Sequence, residues 1–215
     1  MWDDLTEPGR GNGDVTGTEA GTVARTEAHL RAFRAHWQAC RRGGDVPVRA
    51  DIDPRGIEPL ISSAFIAERI APGVVRLRVA GAHLSDLMGM EVRGMPLTTF
   101  IDPADRDAFA MRLVELFDDP AVLRFALRSR RGIGRPALSG TLMMLPLRSD
   151  LGDISRTLGC LVTDGPIGRT PRRFAIAGAE TQTLSGAVPP LRALAGGRSQ
   201  APAGPRDRSH LRLIT

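Results

Sequence analysis

The side chains that could carry catalysis are few, and their spacing fits a structural role. Asp102, Asp105 and Asp107 could form a carboxylate cluster, but they flank Pro103 at what reads as the start of a helix. Aspartate in that setting caps the helix and complements its dipole. No Gly-x-Ser-x-Gly segment or nucleophile, base and acid set accompanies them. We therefore expect no enzymatic activity.

The spacing of the histidines and cysteines does not indicate a metal site. His29 and His36 lie seven residues apart on a predicted helix, whereas two zinc ligands on one helix are separated by about four positions. Cys40 and Cys160 lie far apart in segments of different kinds, and we interpret them as packed thiols and not as a disulfide. The sequence thus predicts neither a metal nor a cofactor.

Charge is distributed unevenly along the 215 residues. All 29 basic residues are arginine; eight of them lie in residues 165–215, against only two acidic residues there. The tail thus carries a net charge of +6 and the rest of the chain −1. Nucleic-acid binding through this tail is an alternative, although its arginines are not interleaved with aromatic side chains for base stacking.

The N-terminal part is predicted to be a disordered segment, residues 1–21, followed by a helix over 22–42 and a helical turn capped by Asp53. Residues 22–63 form this unit. An apolar stripe at helical spacing runs along the helix and either covers its own sheet or pairs with a second copy. Its residues are the candidate interface to a homodimer or signalling partner: Leu30, Phe33, Trp37 and Cys40.

Residues 64–165 read as an α+β domain with an antiparallel sheet. The clearest strand alternates Val75, Leu77 and Val79 with two arginines, as a half-buried strand does. The predicted strands are 64–70, 74–80, 121–129, 137–148 and 155–163, and the predicted helices are 82–88 and 103–117. The remaining residues, 166–215, are predicted to be a basic, mostly disordered tail. Its terminal apolar motif, Leu211, Leu213 and Ile214, could add a strand to a sheet edge.

Several segments in this order resemble the single-domain PAS family of alphaproteobacteria, PAS_5. They include Asp51-Ile52-Asp53-Pro54, Arg76-Leu77-Arg78-Val79-Ala80-Gly81, Met144-Leu145-Pro146-Leu147-Arg148 and the closing His210-Leu211-Arg212-Leu213-Ile214. The resemblance implies a PAS-like five-stranded antiparallel sheet of order 2-1-5-4-3, with helices on one face and an N-terminal capping helix. It also implies a signalling or scaffolding role exerted through protein–protein contacts, without a shared ligand.

A sheet and helices of this kind can also enclose a small molecule, so a sensor with a pocket between the sheet and helix 103–117 is an alternative. The candidate lining residues are Leu84, Met88, Phe109, Leu113, Met143, Leu145 and Cys160. Their other interpretation is simple core packing. PAS domains that bind haem commonly use a histidine on the long helix, and helix 103–117 has none.

No apolar run approaches the roughly 18–20 residues of a membrane-spanning helix. The acidic N-terminus, Met1-Trp2-Asp3-Asp4, also lacks the basic and apolar regions of a signal peptide. We therefore expect a cytoplasmic protein without a membrane partner.

Overall fold

The computed structural model describes residues 15–184, and the side chains of residues 23–184. One antiparallel sheet of six strands runs through it in the order β2-β1-β5-β4-β3-β6. The strands are β1 (Ala64–Ala71), β2 (Val74–Ala80), β3 (Ala121–Ser129), β4 (Leu138–Arg148), β5 (Ile154–Asp164) and β6 (Ala175–Thr183). The helices are α1 (Val15–Ala39), α2 (Ala82–Met88) and α3 (Arg106–Asp118). Short 3-10 helices span Arg49–Asp51, Pro54–Leu60, Leu97–Phe100 and Pro103–Asp105.

The predicted α+β class, the order of the first five strands and the N-terminal helix are confirmed. Asp53 caps its helical turn as expected, because its side chain accepts a hydrogen bond from the backbone nitrogen of Arg55. Helix α1, however, begins at Val15, so the expected disorder is wrong for residues 15–21. Once a helix is nucleated, each further residue adds a hydrogen bond at little cost, and this segment contains no proline. Residues 1–14 lie outside the described part.

The sheet has a sixth strand that the sequence pattern does not indicate. Strand β6 pairs antiparallel with β3 from Ala121 opposite Thr183 to Arg128 opposite Ala175. Its side chains are mostly exposed and its sequence, AIAGAETQT, lacks a period of two. The expectation of a mostly disordered tail is therefore wrong for residues 175–183, because backbone pairing and not apolar burial fixes this strand.

Two aspartates act differently from the capping roles expected of them. The side chain of Asp102 makes no capping hydrogen bond at the 3-10 helix that precedes α3. The carboxylate of Asp105 accepts a hydrogen bond of 2.9 Å from the backbone nitrogen of Ile176. Asp105 therefore joins the start of α3 to the start of β6.

The sheet is covered on both faces, which gives two separate apolar layers. Helices α2 and α3 cover one face, and six of the seven phenylalanines lie in that layer: Phe65, Phe100, Phe109, Phe117, Phe125 and Phe174. Helix α1 covers the other face with Leu30, Phe33 and Trp37. We call these the α2–α3 layer and the α1 layer.

Candidate docking groove

The seven residues predicted to line one pocket lie on opposite faces of the sheet. Leu84, Met88, Phe109 and Leu113 belong to the α2–α3 layer, whereas Met143, Leu145 and Cys160 belong to the α1 layer. A single pocket lined by all seven is therefore wrong. Residues 142–147 of β4 are buried on both faces, so their continuous apolar sequence does not reveal which side chain faces which layer.

Side chains fill the α2–α3 layer around the helix-side candidates. Leu84, Phe109 and Leu113 have no exposed surface, and Met88 is 5% exposed. The ring of Phe109 packs on that of Phe125 with 5.1 Å between centroids. These residues have the burial and contacts of a close-packed core.

The apolar stripe of α1 faces its own sheet. Leu30, Phe33 and Trp37 are at most 1% exposed, so they cannot at the same time form an interface with a second chain. Of the two alternatives for the stripe, the structure thus has the helix covering its own sheet, and a homodimer stays a prediction. The fourth stripe residue, Cys40, is half-buried at the helix end, where its thiol donates to the carbonyl oxygen of Asp51 at 3.3 Å.

Two titratable side chains inside the domain, Cys160 and His83, have shifted pKa values because they are packed away from water. Burial raises the pKa of the Cys160 thiol to about 12, which makes it a poor nucleophile. His83 is half-buried and hydrogen-bonded to the hydroxyl of Thr163 at 2.9 Å, and desolvation lowers its pKa although Asp86 opposes the shift. Among residues 23–184, whose side chains are described, no three His, Cys, Asp or Glu side chains cluster as a metal site would require.

An open apolar groove lies beside α1, where the β1–β2 end of the sheet is left uncovered. The groove has a volume of about 250 Å³. Its floor is formed by strand residues such as Ile66, Val79 and Leu158, and one wall by residues of the 3-10 region, including Ile52 and Ile57. We call this feature the β1–β2 groove.

Two aliphatic side chains at the groove are unusually exposed for their type. Ile61 is 48% exposed and Val79 is 54% exposed. The sequence pattern predicts that Ile57, Leu60 and Ile61 all face the core. In the structure, Ile57 and Leu60 are buried and Ile61 is not. An exposed apolar patch inside a concave surface is typical of a contact site.

A β-bulge explains why Val79 faces the groove. The β1–β2 register shifts between Ile66, which pairs with Val79, and Ala67, which pairs with Leu77. Such a bulge turns the following side chain to the other face of the sheet. Val75 and Leu77 thus enter the α2–α3 layer, whereas Val79 joins Ile66 in the groove. Strict alternation could not have found this residue.

Charged side chains border the groove on its polar side. Arg78 pairs with Glu68 at 2.6 Å, and Arg156 pairs with Asp150 at 3.4 Å. Arg49 lines both the groove and this polar rim, and within residues 23–184 no carboxylate oxygen lies within 4.0 Å of it. The groove therefore offers aliphatic surface with a cationic group at its border.

The family profile of the PAS domain, PAS_5, matches residues 25–162. The chain belongs to the PAS domain family. The match begins within α1 and ends within β5, so it takes in strands β1 to β4, most of β5, helices α2 and α3, and the β1–β2 groove, whereas β6 lies beyond it. Membership implies a signalling or sensory role, and PAS domains are in general sensory and not catalytic.

The PAS domain is also similar to solved light-oxygen-voltage domains. One, from work on a flavin analogue, is 17% identical, with a TM-score of 0.40, over 52% of this chain and 83% of that one. The light state of Aureochrome1 LOV is 14% identical, with a TM-score of 0.37, over 52% and 88%. An RNA-binding light-oxygen-voltage receptor is 17% identical, with a TM-score of 0.36, over 74% and 36%.

No curated protein matches this chain by sequence. Within residues 15–184, no helix has the length and apolar character needed to cross a membrane. The terminal motif Leu211, Leu213 and Ile214 and most of the Arg-rich tail lie outside the described residues, so strand addition and nucleic-acid binding by the tail stay predictions.

Proposed function

We propose that this PAS domain is a non-catalytic signalling or scaffolding module that binds a partner protein in the β1–β2 groove. The partner contributes a short segment with aliphatic side chains for the groove and a carboxylate for Arg49. The observation that carries the proposal is the pairing of Val79 with Ile66 across the bulge, which exposes an aliphatic face beside Arg49, an arginine without an ion pair among residues 23–184.

The dimensions of the groove support a protein segment over a small molecule. Pockets for drug-sized ligands measure about 300–1,000 Å³ and bury most of the ligand. The groove, at about 250 Å³, is smaller and open along one side. It has room for a few aliphatic side chains, each of which would gain roughly 0.8 kcal/mol per buried CH₂ group.

The charges favour an acidic partner segment. Arg78 and Arg156 are engaged with carboxylates of their own chain, while Arg49 is available for a carboxylate from outside. A charge at the border of an apolar site contributes mainly to specificity and association rate, and the apolar centre contributes most of the affinity.

Site-specific photo-crosslinking in the native cell tests the proposal. A benzophenone amino acid at Ile61 or Val79 should capture one partner protein, whereas the same group at Met111, which is 69% exposed on α3, should not. A synthetic peptide of the captured segment should then bind the purified chain, with loss of binding in Val79→Asp and weaker binding in Arg49→Glu. Capture of a second copy alone, or of equal products from Met111, would contradict the proposal.

A further inference from the structure

At the end of the sheet where β3 is joined to β4, two adjoining loops form a strongly basic surface. Residues 130–137, between β3 and β4, and residues 165–173, after β5, together contain six arginines and no acidic residue. The loops are in direct contact, since the backbone nitrogen of Arg169 donates to the carbonyl oxygen of Gly134 at 2.7 Å. A Cβ atom on Gly168 would lie 2.5 Å from Pro136. We call this surface the basic end.

Among the described residues, the arginines of the basic end form no ion pair. Within residues 23–184, no carboxylate oxygen comes within 4.0 Å of any of them, although seven arginines elsewhere in the domain form ion pairs. Five are exposed or half-buried: Arg130, Arg131, Arg135, Arg169 and Arg173. Their positive field is therefore directed to the solvent.

The sixth arginine, Arg172, holds the two loops in place. It is completely buried, and its guanidinium donates to the hydroxyl of Ser129 and to the carbonyl oxygens of Pro136 and Ile167. Burial and the nearby Arg135 lower its pKa. A buried arginine bound to three oxygens of separate segments is a rigid support, so the surface above it is preformed.

An aliphatic side chain projects from the basic end. Ile133 lies at the tip of the β3–β4 loop and is 96% exposed. The turn that presents it is closed by two backbone hydrogen bonds between Gly132 and Arg135, of 2.8 and 3.0 Å. Gly134 has a φ of +69°, which a side chain would strain. The isoleucine is thus held away from the domain.

We propose that the basic end docks on the surface of a bilayer that contains anionic lipid. Arginines at such a surface bind headgroup phosphates, and an apolar side chain beside them enters the boundary between headgroups and acyl chains. The proposal departs from the expectation of no membrane partner, which rested on the lack of a membrane-spanning run, because a surface contact of this kind needs no such segment. A nucleic acid would use the arginines but not Ile133, and neither loop has an aromatic side chain for base stacking.

The opposite end of the sheet provides a matched control. The β4–β5 turn also exposes an aliphatic tip residue, Leu151, which is 95% exposed. Residues 148–156 around it contain two arginines and two aspartates, and Asp150 pairs with Arg156. Because this tip carries no excess positive charge, it should not bind anionic lipid. Ile133→Ser and Leu151→Ser therefore remove comparable apolar surface from a basic tip and from a tip of balanced charge.

Flotation of the full chain with lipid vesicles tests the proposal. The chain should bind phosphatidylcholine vesicles containing phosphatidylglycerol, should not bind phosphatidylcholine alone, and should dissociate as salt is raised. Ile133→Ser should weaken binding about tenfold and Leu151→Ser should leave it unchanged. Arg130→Glu with Arg131→Glu should abolish binding, while the charge-matched pair Arg76→Glu with Arg93→Glu should retain it. Melting curves check that each variant is folded.

Three results would overturn the proposal. The first is no binding to anionic vesicles at low salt. The second is binding that survives both the Ile133 and the Arg130–Arg131 changes, which would place the contact in the Arg-rich residues beyond Leu184. The third is that the chain does not bind vesicles but binds a single-stranded oligonucleotide, and that Arg130→Glu with Arg131→Glu abolishes this oligonucleotide binding.

Discussion

The indole nitrogen of Trp37 on α1 donates a hydrogen bond of 2.9 Å to the carbonyl oxygen of Pro146 on β4. Both groups are buried, and the indole has no exposed surface. The bond fixes the N-terminal helix on the sheet at one position along β4. It also explains why the helix stripe is an intramolecular contact.

Replacing Trp37 by phenylalanine removes this bond but keeps an aromatic ring in the α1 layer. We expect Trp37→Phe to lower the free energy of unfolding by about 1–2 kcal/mol, because a buried carbonyl loses its partner. Urea titration monitored by circular dichroism measures the change. Met111→Leu, at an exposed site of α3, is the control, and equal stability of the two variants would show that the bond does not anchor α1.

The two thiols should differ sharply in reactivity. Burial raises the pKa of Cys160 to about 12, and burial together with Asp51 raises that of Cys40, which lies at the surface end of α1. In native protein a thiol reagent should label Cys40 slowly and Cys160 only after unfolding. Counting labelled thiols in Cys40→Ser and Cys160→Ser tests this. Fast labelling of native Cys40→Ser protein would contradict the packing of the α1 layer.

His83 should make the stability of the domain sensitive to pH. Desolvation by burial lowers its pKa in the folded state, whereas the unfolded chain has a histidine pKa of about 6.5. The unfolded state therefore binds the proton more readily, and the contribution of neutral His83 is full above about pH 6.5 and is lost as pH falls through the folded pKa. Urea titrations of the wild type and His83→Gln across this range should show the wild type losing more stability. Parallel curves would mean that His83 is solvated.

The sequence was a good guide to elements and a poor guide to what they bring together. Alternation in residues such as Val75 and Leu77 predicts strands, because one buried face imposes a period of two. It fails at Val79, where a bulge that depends on pairing with β1 reverses the face, and at Met143 and Met144, where both faces are buried. Strand β6 cannot be predicted from the sequence, because backbone hydrogen bonds to β3 and to the carboxylate of Asp105 hold it and these require no apolar pattern.

The basic end shows the same limit from another direction. Its arginines are evident in the sequence, but they come from two loops that are 36 residues apart at Pro136 and Arg172. The sequence also does not show that Ile133 is exposed among these arginines, because its exposure depends on the turn between Gly132 and Arg135. The net charge of each segment placed the positive excess in the tail. It could not show that the arginines of the β3–β4 loop lack carboxylate partners, because net charge does not depend on which residues pair.

Chemical-shift mapping with the partner peptide captured at the β1–β2 groove tests the central claim most directly. In the ¹⁵N- and ¹³C-methyl-labelled chain, adding the peptide should shift the signals of Ile61, Ile66 and Val79 and leave those of Leu84 and Leu113 in place. Val79→Asp should remove the shifts without altering the rest of the spectrum. Shifts centred on Leu84 and Leu113 would instead place the binding site in the α2–α3 layer and contradict docking in the groove.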